Sequence, residues 1–183
     1  RGKVGAPACA RIAVYPRFAV DPAEYCKSLN AVLFATKAHA DCTILVNGQQ
    51  IKCHRSILAA ASPVMNSILE SGMQESLDQK IEIRNAEPPV VEAMLRFAYT
   101  GELAEPRPAL EELLLLADQY QMPRLVQLVA GPLIESLTCE NVVSIARVLR
   151  GFADSEHVKP VWDDFVQKLQ DNRRLFLTTL KGL

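Results

Sequence analysis

The dipeptide Asn47-Gly48 constrains this chain more than any other feature. It sits between two alternating runs, Asp41 to Val46 and Gln49 to Cys53. Both central positions of a type I′ turn need positive φ, and Asn-Gly supplies them, so a β-hairpin is predicted. That register puts Ile44 opposite Ile51 and Cys42 opposite Cys53. The four side chains then share one face of the pair. Thr43, Gln50 and Lys52 take the other face, with Leu45 as its apolar exception.

After the hairpin the apolar spacing changes to that of a helix. Ile57, Leu58 and Ala61 form one stripe. Ser62 suits an N-cap and Pro63 the first helical position of a second helix. Val64 and Ile68 are predicted to point inward, with Met65 a further candidate, and Gly72 terminates the helix. Upstream, residues 27–39 place Leu29, Val32, Leu33 and Thr36 at helical spacing. Downstream, Ile81 and Ile83 alternate with charged residues as a half-buried strand. Pro88-Pro89 opens a helix with Val91, Met94, Leu95 and Ala98 on one face, and a short strand or turn can follow at 102–104. Two more helices run from Leu110 to Ala117 and from Leu125 to Ile134. Thr138 caps another, with Val142, Ile145, Ala146 and Leu149 as its stripe and Gly151 as its end. Val158, Val161, Trp162, Phe165 and Leu169 form the last long stripe, leaving 172–183 as a half-turn or a frayed end. Early strands followed by late helices read as an α+β fold with a helical appendix.

Composition narrows the function classes. The 183 residues are 49% hydrophobic, enough for one core or for one domain plus an extension. Charge is balanced, 20 basic against 21 acidic residues, with no basic stripe, so a nucleic-acid partner is not expected. The longest apolar run, Leu113 to Ala117, is far below the ~20 residues of a membrane span. Five cysteines without a C-x-x-C fit neither a zinc site nor a disulfide framework, and point to a reducing compartment, cytoplasm or nucleus. Residues 1–26, with Pro7, Pro16 and Pro22, read as a linker or a remnant of an upstream domain. The start at Arg1, without a secretory h-region, suggests a piece of a longer protein.

No catalytic constellation emerges, so an enzyme is not expected, nor a cofactor or metal. No P-loop, dinucleotide fingerprint, H-E-x-x-H or Ser-His-Asp order is present. His54 follows Cys53, but adjacent strand residues point to opposite faces, so the pair does not converge as a nucleophile and base. His54 is expected to hydrogen-bond backbone at the junction, and Cys42 and Cys53 to be buried free thiols. Tyr99 and Tyr120 end their helices and default to core packing, although Tyr120 with Met122 could extend a surface patch. Met73-Gln74-Glu75 follows the helix terminator. Two readings stay open there: an apolar anchor with a hydrogen-bonding rim, or a Met that caps the core beside a solvated Glu.

These residues together resemble the BTB/POZ family. The resemblance rests on Asp41 with its alternating strand, Cys53-His54-Arg55, Ile57-Leu58-Ala59-Ala60, Ser62-Pro63 and Met73-Gln74-Glu75-Ser76. It continues in Phe97-Ala98-Tyr99-Thr100-Gly101 and Leu116-Ala117-Asp118-Gln119-Tyr120. It implies a short three-stranded sheet capped by helices, plus an edge strand or turn, in a domain at 27–137. Leu137 to Val142 resembles the start of a 3-box or BACK-like extension, at 138–183. The likeness is closest to MATH-BTB adaptors such as speckle-type POZ protein. Met65 departs from the family, which often has an aromatic there, and Lys168 stands where the adaptors carry one. The resemblance implies a homodimer with Leu29, Val32, Leu33 and Ile57 at its interface. It further implies a substrate adaptor of a cullin-3 ubiquitin ligase, with Met73, Glu75, Tyr120 and Met122 toward the cullin. The protein substrate would be bound by a domain outside these residues. The alternative implied role is a transcriptional scaffold that recruits corepressors.

Overall fold

The computed structural model describes residues 22–71, 79–103, 108–151 and 158–182. Helix α1 (Pro22–Thr36) leads into the hairpin of β1 (Cys42–Val46) and β2 (Gln49–Cys53). Asn47 and Gly48 adopt φ of 46° and 80°, the doubly positive turn that their chemistry favours. Cys42 faces Cys53 and Ile44 faces Ile51, and all four are buried. Helices α2 (Arg55–Ala61) and α3 (Pro63–Glu70) carry the chain to the far side of β1. There β3 (Lys80–Ile83) pairs parallel to β1, giving the sheet order β2-β1-β3. Ile81 and Ile83 join the buried face.

Ser62 explains the break between α2 and α3. Its hydroxyl accepts from the Met65 N–H at 3.1 Å and donates to the Tyr120 carbonyl at 2.5 Å. One buried side chain thus caps α3 and ties it to a distant turn. Met65 and Leu69 are the fully inward residues of α3, while Val64 and Ile68 flank them half-buried. The inward stripe is one row wider than the sequence spacing indicates.

Helix α4 (Pro88–Thr100) is the centre of the domain and buries Val90, Val91, Ala93, Met94, Leu95 and Tyr99. Gly101 closes it at φ 73°, its N–H on the Phe97 carbonyl at 2.7 Å. Helices α5 (Leu110–Gln119) and α6 (Pro123–Glu135) form an antiparallel pair. Their turn is a Schellman motif: the Met122 N–H reaches the Ala117 carbonyl at 2.8 Å, and the Gln121 N–H the Asp118 carbonyl at 2.9 Å.

Helices α7 (Val142–Gly151), α8 (Lys159–Asp171) and α9 (Arg173–Gly182) pack against α5, α6 and one another, and their buried residues join the same core. Thr138 and Asn141 cap the approach to α7 reciprocally. Thr138 Oγ1 accepts from the Asn141 N–H at 3.4 Å, and Asn141 Oδ1 from the Thr138 N–H at 2.7 Å.

Three expectations change. Helix α1 begins at Pro22 rather than residue 27, because Pro is well suited to a first turn. It ends before Lys37 and His39, both at positive φ. Residues 173–182 form a full helix instead of a frayed end: Asn172 Oδ1 accepts from the Arg174 and Leu175 N–H groups, and Leu175 and Thr179 are buried one turn apart. Glu102 and Leu103 form no strand; residue 104 and Gly72 lie outside the described residues.

Candidate protein-interaction surface

Helix α1 turns one face to α4 and, among the described residues, leaves the other unpartnered. Phe34 packs its ring 5.3 Å from that of Tyr99 on α4. On the opposite side Tyr25, Leu29 and Val32 are 56%, 48% and 56% exposed. Their spacing of four and three residues puts them on one helical row. Leu33 and Ile57 are half-buried. Of the four residues implied as a dimer interface, Leu29 and Val32 therefore present free apolar surface, and Leu33 and Ile57 present part of theirs. Tyr25 extends the row one turn ahead of residue 27, where the helical spacing in the sequence begins.

Behind α1 lies a polar junction. His54 Nε2 meets the Ala38 carbonyl at 2.7 Å, and Nδ1 meets the Tyr99 hydroxyl at 2.6 Å. A carbonyl only accepts, so Nε2 carries the proton and neutral Nδ1 accepts from Tyr99. The Tyr99 oxygen also accepts the His54 backbone N–H at 2.9 Å. Burial pushes the Tyr99 phenol up to about 12, against the pull of that N–H. Lys37 lays its ammonium 3.5 Å from the centroid of Phe34 and 5.6 Å from that of Tyr99. Burial holds its pKa below the usual lysine value, with Cys53 and Glu92 pulling the other way. His54, Tyr99 and Lys37 together fasten the end of α1 to the hairpin and α4.

Cys53 and His54 do not form a nucleophilic pair. The Cys53 thiol donates toward the Cys42 carbonyl at 3.5 Å, while both ring nitrogens of His54 are engaged elsewhere. Hydrogen bonding to Cys42, followed by burial, pushes the Cys53 thiol well above the usual range. Both cysteines are free and buried. Among the described residues no group of His, Cys, Asp or Glu is arranged to hold a metal ion, and no helix is long and apolar enough to cross a membrane.

Two of the residues implied to face a cullin are core residues. Tyr120 and Met122 are 4% and 3% exposed. The Schellman turn folds the chain back after Gln121, so the side chain that follows points inward. Burial also raises the Tyr120 phenol. Met73 and Glu75 lie outside the described residues. Met65 is 1% exposed, so the thioether fills the core position where the family often has an aromatic.

The same turn closes a cavity of about 580 Å³ that sequence spacing could not reveal. Ala60, Pro63, Phe97, Met122 and Leu128 are among the residues that line it, with Gln121 and Arg124 adding polar groups.

The fold and the family agree. A BTB/POZ domain model matches residues 31–137, more than half of the chain. The chain belongs to the BTB/POZ family. Its fold is similar to the BTB domain of zebrafish PATZ1, with a TM-score of 0.51 at 23% identity over 62% of this chain and 92% of that one. It is similar also to the BTB domain of human gigaxonin, with a TM-score of 0.50 at 22% identity over 62% and 93% of the two chains. At such identities the likeness speaks to the fold alone. BTB domains are protein-interaction modules that typically homodimerise.

Proposed function

We propose that this BTB/POZ chain is the adaptor module of a cullin-3 RING ubiquitin ligase and homodimerises through α1. The observation that carries the dimer is the unpartnered row Tyr25, Leu29 and Val32 on a helix whose other face is anchored to the core. A two-fold axis would set that row against its own copy, with Leu33 and Ile57 at the margin. Supporting the cullin half is the triplet Met73-Gln74-Glu75, shortly after α3 ends at Glu70. Met73 would enter an apolar groove on the cullin, and Glu75 would hydrogen-bond beside it. Tyr120 and Met122 would support this surface from within the core rather than touch the partner.

Residues 22–137, which take in all of α1, then form the dimerising domain, and helices α7 to α9 a 3-box or BACK-like extension, in the manner of MATH-BTB adaptors. The module carries no active site of its own. It works in the cytoplasm or nucleus, and a domain outside these residues binds the protein substrate. Dimerisation would join two cullins and two substrate sites in one assembly, which raises effective concentration.

Titration of the chain with the N-terminal region of cullin-3 tests this reading. Binding by the native sequence is expected, with affinity lost in Met73→Ala and reduced in Glu75→Ala. No binding by the native sequence contradicts the adaptor role and favours a corepressor scaffold. Unchanged affinity in both variants moves the contact elsewhere.

A further inference from the structure

We infer that the groove between α8 and α9 is a docking site for an acidic amphipathic helix of a partner protein. Helix α9 is held from one side. Leu175 and Thr179, one turn apart, are buried where it packs on α7 and α8. The Thr179 hydroxyl donates to the Leu175 carbonyl at 2.8 Å and is thereby satisfied. On the other side Phe176, Leu177 and Leu180 are exposed, and Leu180, at 62%, is the most exposed large apolar side chain among the described residues. A groove of about 230 Å³ opens between this row and α8. Trp162 and Phe165 line it from α8, their ring centroids 5.6 Å apart, and Phe176 and Leu180 line it from α9. Among the described residues that line it none is charged, and Gln170 and Thr179 are the polar ones. Ligand pockets typically start at about 300 Å³, so this groove suits one or two apolar side chains better than a whole small molecule.

Charge selects the occupant. Helix α9 carries Arg173, Arg174 and Lys181 and no acidic residue. All three are exposed, and none forms a salt bridge among the described residues. Arg174, Leu177 and Lys181 are spaced by three and four residues, so cations flank the apolar row along one side of the helix. A partner helix with apolar anchors at helical spacing and carboxylates beside them would satisfy both the groove and its flank.

Other occupants fit less well. A second copy that met this face about a two-fold axis on α9 would set the same cations against each other. An anionic membrane calls for about four to eight clustered cations. Helix α9 offers three, and the adjoining α8 exposes Asp163, Asp164 and Asp171.

Trp162 is the single tryptophan of the chain and is half-buried, so its emission reports on the groove directly. The test titrates the whole 183-residue chain with two mixtures of capped, Trp-free peptides of about 15 residues, near the shortest length at which a helix holds in water. Both set Leu, Met or Phe at helical spacing; one flanks them with Glu, the other with Gln. The Glu mixture is expected to move Trp162 emission saturably to shorter wavelength. It should bind about ten-fold tighter than the Gln mixture, the combined size of three exposed ion pairs. Arg174→Glu with Lys181→Glu should abolish that preference, and Leu180→Asp should abolish binding of both mixtures. Neither change should move Tm, because these side chains are exposed. Leu29→Asp should leave binding intact. The proposal is overturned if Trp162 emission responds to neither mixture, if both bind equally, or if the preference survives the double charge reversal. A response to phosphatidylserine vesicles but not to the Glu mixture would assign the face to a membrane. A response to protein concentration alone, lost in Leu180→Asp, would assign it to a second copy. Displacement of the peptides by the N-terminal region of cullin-3 would assign it to the cullin. Each of these assignments overturns the proposal, and none of its expected results requires the adaptor role.

Discussion

Helices α1 and α4 lie against each other, yet they use their apolar residues in opposite ways. Helix α4 directs Val90, Val91, Ala93, Met94, Leu95 and Tyr99 into the core. Helix α1 gives Phe34 to that contact and leaves Tyr25, Leu29 and Val32 outside it. Hydrophobic burial is non-directional, so an apolar row states that a contact is needed and not which molecule provides it. For α4 the contact is completed within the chain. For α1 the described residues do not complete it, and the proposed dimer would.

The sharpest way to break this contrast is to truncate one residue on each helix. Leu95→Ala removes a fully buried side chain and is expected to cost about 2–5 kcal/mol in urea unfolding. Leu29→Ala should change the stability of the monomer by less than about 0.5 kcal/mol, because the side chain is half exposed. Similar losses at both sites would mean that α1 is a core element after all.

Tyr99 joins the two helices and gives the next effect. Tyr99→Phe removes the acceptor of the His54 N–H and the donor to Nδ1, at an expected cost of about 1–3 kcal/mol. It should also change the alkaline limb of stability. In the unfolded chain Tyr99 ionises near 10; in the fold burial holds it protonated up to about 12. The folded state therefore binds more protons across that window, and stability falls as pH rises from about 10 through 12. Thermal melts of Tyr99→Phe should show a shallower fall, with Tyr120 leaving a remainder of the same sign.

Lys37 carries the smallest effect. Its ammonium nitrogen is buried without a hydrogen-bond partner among the described residues, and the rings of Phe34 and Tyr99 offset only part of that desolvation. Lys37→Met keeps most of the apolar stem and removes the charge, so it should raise stability by less than about 1 kcal/mol in urea unfolding at neutral pH. The lowered pKa has the opposite sign to that of Tyr99. Just below 10.5 the unfolded state holds the extra proton, and stability gains slightly as pH rises.

What was legible in the sequence had local causes. Asn47-Gly48 set the hairpin register and Ser62-Pro63 the start of α3, each through backbone conformations that its own residues favour. Asn172 is an equally local signal, the cap of α9. Features that depend on distant partners were left open or had no local signal. Tyr120 and Met122 follow a helix end, and only the Schellman turn decides that they face inward. The contacts of Lys37 and Tyr99 span the gap between α1 and α4, and the cavity is lined from separate stretches of chain. The apolar row of α1 was visible as a row, but its outward direction was not.

Sedimentation equilibrium over a range of concentrations tests the central claim most directly. The native chain of 20.2 kDa is predicted to sediment at about 40 kDa, twice that mass, and Val32→Asp as a monomer with unchanged helical circular dichroism. A native chain that stays at 20.2 kDa at every concentration, or a dimer that survives Val32→Asp, would contradict the assignment of α1 as the self-association face.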